Sequence, residues 1–296
     1  MELYISIFTL ILISVVSVTG VYVLTGLTGM FSLGQAAFMA LGAYISGIFV
    51  VKLGFPFPIA CAIAIIISVL VGFIVGLPIV RLRRDYISLV TLGFGEAITA
   101  LLNRTTKLTG GASGFTGIPK KTTLLMVTLS AIACIVLVAF FKASKYGRQC
   151  IAVRSDELAS KAMGINVSRV KMTAFLLSVA VTSFSGCLYA FFTTYVDPTI
   201  FGWRKSADWV IMVFFGGVNS LTGAVASTFI LTGLPEVLRF LAEYRSIFYA
   251  VLVLLVINFK PSGLFGEWEL TIRNIKRLFK PIVNLFSKEG KRNGAS

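Results

Sequence analysis

From Tyr4 to Phe259 the chain is a succession of nine apolar runs separated by short polar connections. They cover about Tyr4–Leu24, Leu33–Val51, Ile59–Val80, Tyr86–Asn103, Thr122–Phe141, Val170–Tyr195, Ser206–Gly217, Leu221–Phe240 and Ser246–Phe259. Most approach the ~20 residues a helix needs to cross a bilayer. The pattern predicts an all-α polytopic transmembrane helix bundle of eight to ten spans. Ser206–Gly217 is the ambiguous run, a short span or a half-helix, and it ends in Gly216-Gly217-Val-Asn-Ser. Only 13% of the 296 residues are charged against 57% hydrophobic, which a soluble domain of this length would not show. The start, Met-Glu-Leu-Tyr, lacks the basic region of a cleaved signal and reads as the head of a retained span.

The formal charge of +15 does not point to nucleic acid, because the basic residues lie between and after the apolar runs. They serve as topology signals and contacts to anionic lipid. With the loop Lys142–Lys171 placed inside and nine segments alternating, 18 of the 27 Lys and Arg residues fall on the inner side. That distribution puts the N-terminus outside and the C-terminus in the cytoplasm. A dip and return of Ser206–Gly217 would reverse the tail. Residues 1–266 form the transmembrane domain and 267–296 a basic cytoplasmic tail, amphipathic to about Leu285 and disordered from Lys288.

The longest polar interruption, Lys142–Lys171, holds seven of those basic residues and reads as a loop with a short helix inside. Ser155 is the expected N-cap, followed by Asp156 and Glu157 in the first turn, where the helix dipole favours acid. Leu158, Ala159, Ala162 and Met163 make a small apolar face, Gly164 stops the helix, and Ser168 caps the next one. Such a face either lies on lipid or on its own bundle, or it docks into a groove of a soluble partner.

Glu96 is the carboxylate placed mid-span, where an ionisable group costs roughly 2.5–3.5 kcal/mol. It is a functional group or a hydrogen-bond partner of a neighbouring Thr or Ser. Ser32, Gln35 and Tyr44 give the second run a polar start, and Gly216, Gly217 and Asn219 give the seventh a broken end. Interrupted helices of this kind can hold a zwitterion, although turn chemistry also accounts for the glycines. Small-residue ridges, Ala36/Ala40/Ala43/Gly47, Gly72/Gly76 and Gly93/Ala97, allow close packing, a pore lining or a dimer face. Histidine is absent, and the four cysteines form neither a disulfide framework nor a zinc site. No phosphate-binding loop, G-x-S-x-G elbow or H-E-x-x-H occurs, which argues against an enzyme and against ATP binding by this chain.

Gly26-Leu-Thr-Gly-Met-Phe-Ser-Leu-Gly-Gln-Ala-Ala-Phe-Met-Ala-Leu-Gly-Ala-Tyr44 resembles the signature of the branched-chain amino acid permeases, membrane subunits of ABC importers. Ser88–Glu96, Gly110–Ile118, Tyr146–Phe175, Gly216-Gly217…Gly223 and Pro261–Gly266 resemble further family segments in order. The resemblance implies a bacterial inner-membrane permease that moves leucine, isoleucine and valine by ATP-driven alternating access. It also implies that Ser155–Gly164 docks on an ATPase through Ser155, Glu157, Ala159 and Gly164, although Glu157-Leu-Ala fits the wider Glu-Ala-Ala…Gly pattern only loosely. Two ATPase subunits that bind the ATP, a second homologous permease and an extracytoplasmic binding protein complete the implied machine. Arg104, Lys107, Lys120, Lys121, Arg204 and Lys205 would meet the binding protein. Two alternatives stand beside this reading. One is the same machine for urea, short amides or nucleosides; the other is a stand-alone secondary transporter or channel using Glu96.

Overall fold

A computed structural model describes residues 2–237, 245–260, 262–266 and 268–269. It is an all-α membrane bundle, with no β-strand among the described residues. The helices are α1 (Glu2–Tyr22), α2 (Gln35–Val51), α3 (Phe57–Ile79), α4 (Arg84–Arg104), α5 (Thr106–Thr109) and α6 (Leu124–Ala143). Then come α7 (Lys145–Ser155), α8 (Glu157–Ala162), α9 (Val167–Thr193), α10 (Trp203–Gly216), α11 (Leu221–Val237) and α12 (Arg245–Phe259).

α1 is apolar on all sides, and a helix of that kind belongs in the interior. It runs on through a π-helical turn, Val23–Thr28, which Gly29 closes at φ 68°. Around it pack α6, α9, α10 and α11. The longest helix, α9, carries α2 and α3 on its other sides. Lipid offers no hydrophobic drive for helices to associate, so close backbone approach and interhelical hydrogen bonds must hold them. Both are present. A Cβ on Gly42 of α2 would overlap the Ser183 carbonyl of α9, and one on Gly186 would overlap the Met39 carbonyl. Ser17 bonds Ser185 at 2.7 Å, and Ser183 bonds Ser68 at 2.9 Å. The ridges at Ala36/Ala40/Ala43 and Gly72/Gly76 are thus spent on packing inside this one chain.

Large apolar side chains mark the outer faces. On α3 these include Ile66, Leu70, Phe73 and Ile74, and on α6 Leu125, Leu129, Ile132 and Phe140. Among the described residues, five helices are long and apolar enough to cross a membrane, and α2 and α11 are shorter apolar helices.

Two connections enter the bundle instead of turning at its surface. Before α2, the N–H of Leu33 donates to Thr91 Oγ1 at 3.1 Å, and the N–H of Ala36 donates to Ser206 Oγ at 2.9 Å. Before α10, the N–H of Trp203 donates to Glu96 Oε1 at 3.4 Å. Glu96 is twelve residues into α4, about 18 Å along it at 1.5 Å per residue. The ambiguous seventh run is therefore a half-helix of 14 residues that starts at depth. Its far end reaches the polar stretch, because the Asn219 carbonyl accepts from Tyr22 Oη at 3.1 Å and Lys142 Nζ at 2.6 Å. α12 finishes there too, with the N–H of Leu264 donating to the Phe215 carbonyl at 2.8 Å. Among the described residues, nine segments alternate, and residues 262–266 with Glu269 lie at the same end as Lys142–Lys171. Apart from Trp268 and Glu269, the tail expected over 267–296 lies outside the described residues.

Candidate functional site

The polar end is more helical than its sequence suggests. Ser144 caps α7 by accepting the Gly147 N–H at 3.3 Å, and Gly147, Cys150 and Val153 turn that helix inward. Because α7 continues to Ser155, that residue is its last, and its hydroxyl bonds back to the Ile151 carbonyl at 3.1 Å. The N-cap of α8 is Asp156, not Ser155; its Oδ1 accepts the N–H groups of Leu158 at 2.8 Å and Ala159 at 3.1 Å. A carboxylate suits that place doubly, as acceptor and as negative charge at the positive end of the helix. Gly164 ends the element at φ 79°, where an L side chain is strained. α9 starts at Val167, so Asn166 caps it in place of Ser168, accepting the Arg169 N–H at 3.1 Å.

Among the described residues, nothing covers the apolar face of α8. Leu158 is 77% and Met163 82% exposed, with Ala159 and Ala162 exposed beside them. The opposite side of α8 is fixed. Ser160 is buried, and Glu157 turns inward to lie 2.6 Å from Lys171 Nζ and 3.3 Å from Arg84 Nε. Burial raises the pKa of Glu157, but the hydrogen bonds and charges of Lys171 and Arg84 outweigh it, so the carboxyl titrates below its ordinary range.

A second polar cluster at this end was not foreseen from the sequence. Lys142 reaches Tyr22 Oη at 2.8 Å, the Asn219 carbonyl and the Glu269 carboxylate. Arg154 donates to the Gly26 carbonyl and to Asn219 Oδ1. These groups line a cavity of about 270 Å³ that ties α1, α6, α7 and the α10–α11 turn together. Its members lie up to 247 positions apart, from Tyr22 to Glu269, so no local motif announces it.

The residues expected along a substrate path do not meet at one place. Ser32, Gln35 and Tyr44 are buried inside the bundle. Gln35 bonds Ser32 at 3.4 Å and accepts from Thr182 at 3.3 Å, and Tyr44 Oη donates to the Val196 carbonyl at 3.0 Å. Gly217 is packed against Ser262 and Gly266, and Gly216 against Gly223 with its carbonyl accepting the Phe265 N–H at 3.1 Å, at the polar end where Asn219 also lies. Glu96 stands apart, on an exposed face of α4. The centre of that face is small, with Gly93, Ala97 and Ala100 around the carboxylate. No atom lies within 4 Å of where a Gly93 Cβ would be. α3 and α6 present bulky apolar residues at the corresponding places. Arg104, Lys107, Lys120 and Lys121 are exposed at the end opposite Lys142–Lys171. Arg204 is exposed in the first turn of α10, and Lys205 beside it is partly buried, so this pair sits nearer Glu96 than the others do.

Residues 3–257 match the family model for the permease component of branched-chain amino acid transport systems. The chain belongs to that permease family. Within the family it is similar to the high-affinity branched-chain amino acid transport system permease protein LivM of Escherichia coli K12. Identity is 31% over 290 residues, covering 86% of this chain and 68% of that protein. The LivM of Salmonella typhimurium LT2 is 30% identical over the same shares of each. LivH of Escherichia coli K12, also a permease protein of a high-affinity branched-chain amino acid transport system, is 26% identical over 190 residues, 63% of this chain and 61% of that one. No solved structure gives a significant match.

Proposed function

We propose that this permease-family chain is the membrane-spanning subunit of a bacterial ABC importer for leucine, isoleucine and valine. The observation that carries the reading is the apolar face of α8, which the described residues leave exposed on a helix whose other side is pinned by ion pairs. A fixed amphipathic helix of this kind suits a groove on a soluble partner. In this reading the partner is an ATPase subunit, one for each of two permeases, and the ATPases bind and hydrolyse the ATP. Ala159 and Gly164 lie on or beside the docking face, while Ser155 and Glu157 hold the mount. The polar end then faces the cytoplasm, with the N-terminus outside and the tail inside the cell membrane. Arg104, Lys107, Lys120, Lys121 and Arg204 face a binding protein on the outer side, with Lys205 behind them.

The exposed face of α4 supports a second, homologous permease. A carboxylate at that depth costs roughly 2.5–3.5 kcal/mol against lipid. It must therefore meet protein or water. A shared pathway between two permeases meets the requirement, and there Glu96 offers a carboxylate to the ammonium of an amino acid. The chain itself performs no chemistry. It alternates between outward and inward openings as the ATPases close and part. The relatives' substrates support branched-chain amino acids over urea, amides or nucleosides.

Co-expression with the neighbouring-gene ATPases tests the docking. Leu158→Glu and Met163→Glu leave membrane insertion intact and abolish ATPase co-purification. Undiminished co-purification by both variants contradicts the reading.

A further inference from the structure

Lys171 is 1% exposed, yet it lies on α9 among apolar neighbours near the polar end. A buried ammonium carries a desolvation cost, and well-packed apolar residues replace such pairs with little loss of stability. Stability alone thus gives little reason for a lysine here. What the charge does is hold one carboxylate. Glu157, the first residue of α8, accepts from Lys171 on α9 at 2.6 Å and from Arg84, the first residue of α4, at 3.3 Å. Arg84 Nη2 also donates to the Val153 carbonyl of α7 at 2.5 Å. α4, α7, α8 and α9 therefore converge on a single node. α8 is only six residues long and makes few other contacts with the bundle. The backbone joins α8 directly to α7 and α9, and its link to α4 runs through this node.

We infer that Lys171 and Arg84 are positioning residues that transmit movement of α8 to α9 and α4, and so to the face that bears Glu96. This rests on the importer reading above. The node pulls on the cytoplasmic start of α4. Glu96 lies twelve residues further along the same helix, where it also holds the start of α10 through the Trp203 N–H. A tilt of α4 then changes both the exposed face and the entry of the half-helix. The guanidinium and ammonium hold the same carboxylate from two helices, so loss of Arg84 uncouples α8 from α4, and loss of Lys171 leaves only the backbone between Ala162 and Val167 to join α8 to α9.

The test uses the whole transporter in proteoliposomes: this chain, the second permease, both ATPases and the binding protein, with labelled leucine. The readout is leucine taken up per ATP hydrolysed. A coupling free energy of ordinary size corresponds to 5–150-fold, so Lys171→Met is expected to co-purify with the ATPases while uptake per ATP falls by about tenfold or more. Arg84→Gln, at a partly exposed position that leaves Lys171 paired with Glu157, is expected to lower the ratio severalfold. Lys171→Arg, which keeps the charge, is expected to restore most of it. A wild-type ratio in both Lys171→Met and Arg84→Gln overturns the inference and leaves the importer reading standing. So does loss of ATPase association with an unchanged ratio in the complexes that remain. Absence of ATP-driven leucine uptake by the unaltered transporter overturns the importer reading first, and the inference with it.

Discussion

Glu96 Oε1 accepts the Trp203 N–H at 3.4 Å, and its side chain lies on an exposed face of α4. Glu96→Gln keeps an oxygen for that hydrogen bond and removes the charge. On the pathway account, ATP-driven uptake falls about tenfold or more while assembly is unchanged, and Glu96→Asp retains part of the rate. Full-rate uptake by Glu96→Gln would make the residue only a cap for α10. Glu157 gives a pH prediction with a definite sign. Its folded pKa is lowered, against burial, by Lys171 and Arg84. It therefore contributes stability that is fully present above the ordinary Glu range of about 4.3 and is lost as pH falls below it. Thermal unfolding in detergent should show no loss from this pair between about pH 6 and 8 and a loss in acid that is smaller in Glu157→Gln. At this scale the sequence was partly legible. Glu96, Gly164 and the acid-rich start of α8 were all visible in it. Ser155 and Asp156 are both good caps, and the choice fell to Asp156 because α7 stays helical through Ser155. Its inward face of Gly147, Cys150 and Val153 is too short and too interrupted by charge to stand out.

α2 and α9 cross where glycine removes a side chain from each, Gly42 facing Ser183 and Gly186 facing Met39. Gly186→Leu would force the helices apart, and overpacking of this kind costs about 1–3 kcal/mol or more. A lower unfolding temperature in detergent is expected, whereas Gly54→Ala, at an open turn, should be affected only by its positive φ of 69°. An unchanged midpoint for Gly186→Leu would contradict the packing. Run length gave the element positions to within a few residues among the described residues, since most spans are long runs with a sharp polar boundary. The two interrupted connections were less legible. Glycines and short runs marked them, but the partners that satisfy their free backbone groups come from α4, 58 and 107 positions away for Leu33 and Trp203. Long-range contacts of that kind have no local signature. The apolar face of α8 is the reverse case, where Leu158, Ala159, Ala162 and Met163 were readable and stay exposed.

The bundle has two chemically distinct ends. At one lie α7, α8, the Asn219 turn and residues 262–266; at the other, Lys52 donates to the Lys107 carbonyl and Phe115 pairs with Val196. Run lengths led to an expectation of eight to ten spans, and among the described residues five helices are long and apolar enough to cross a membrane, with shorter apolar helices between them. The path of Ser206–Gly217 became visible only from distant contacts, of Trp203 with Glu96 at its start and of Asn219 with Tyr22 and Lys142 at its end. The four native cysteines are buried, so single introduced cysteines report cleanly. Lys145→Cys should react with an impermeant reagent only from the cytoplasmic side, and Lys120→Cys only from outside. The reverse pattern would invert the molecule and remove α8 from the reach of any ATPase. The most direct measurement is uptake of labelled leucine into proteoliposomes holding this chain with its second permease, ATPases and binding protein, with and without ATP. The importer account predicts uptake that requires both ATP and the binding protein and is competed by isoleucine and valine. Leucine flux through this chain alone, indifferent to ATP, would contradict it.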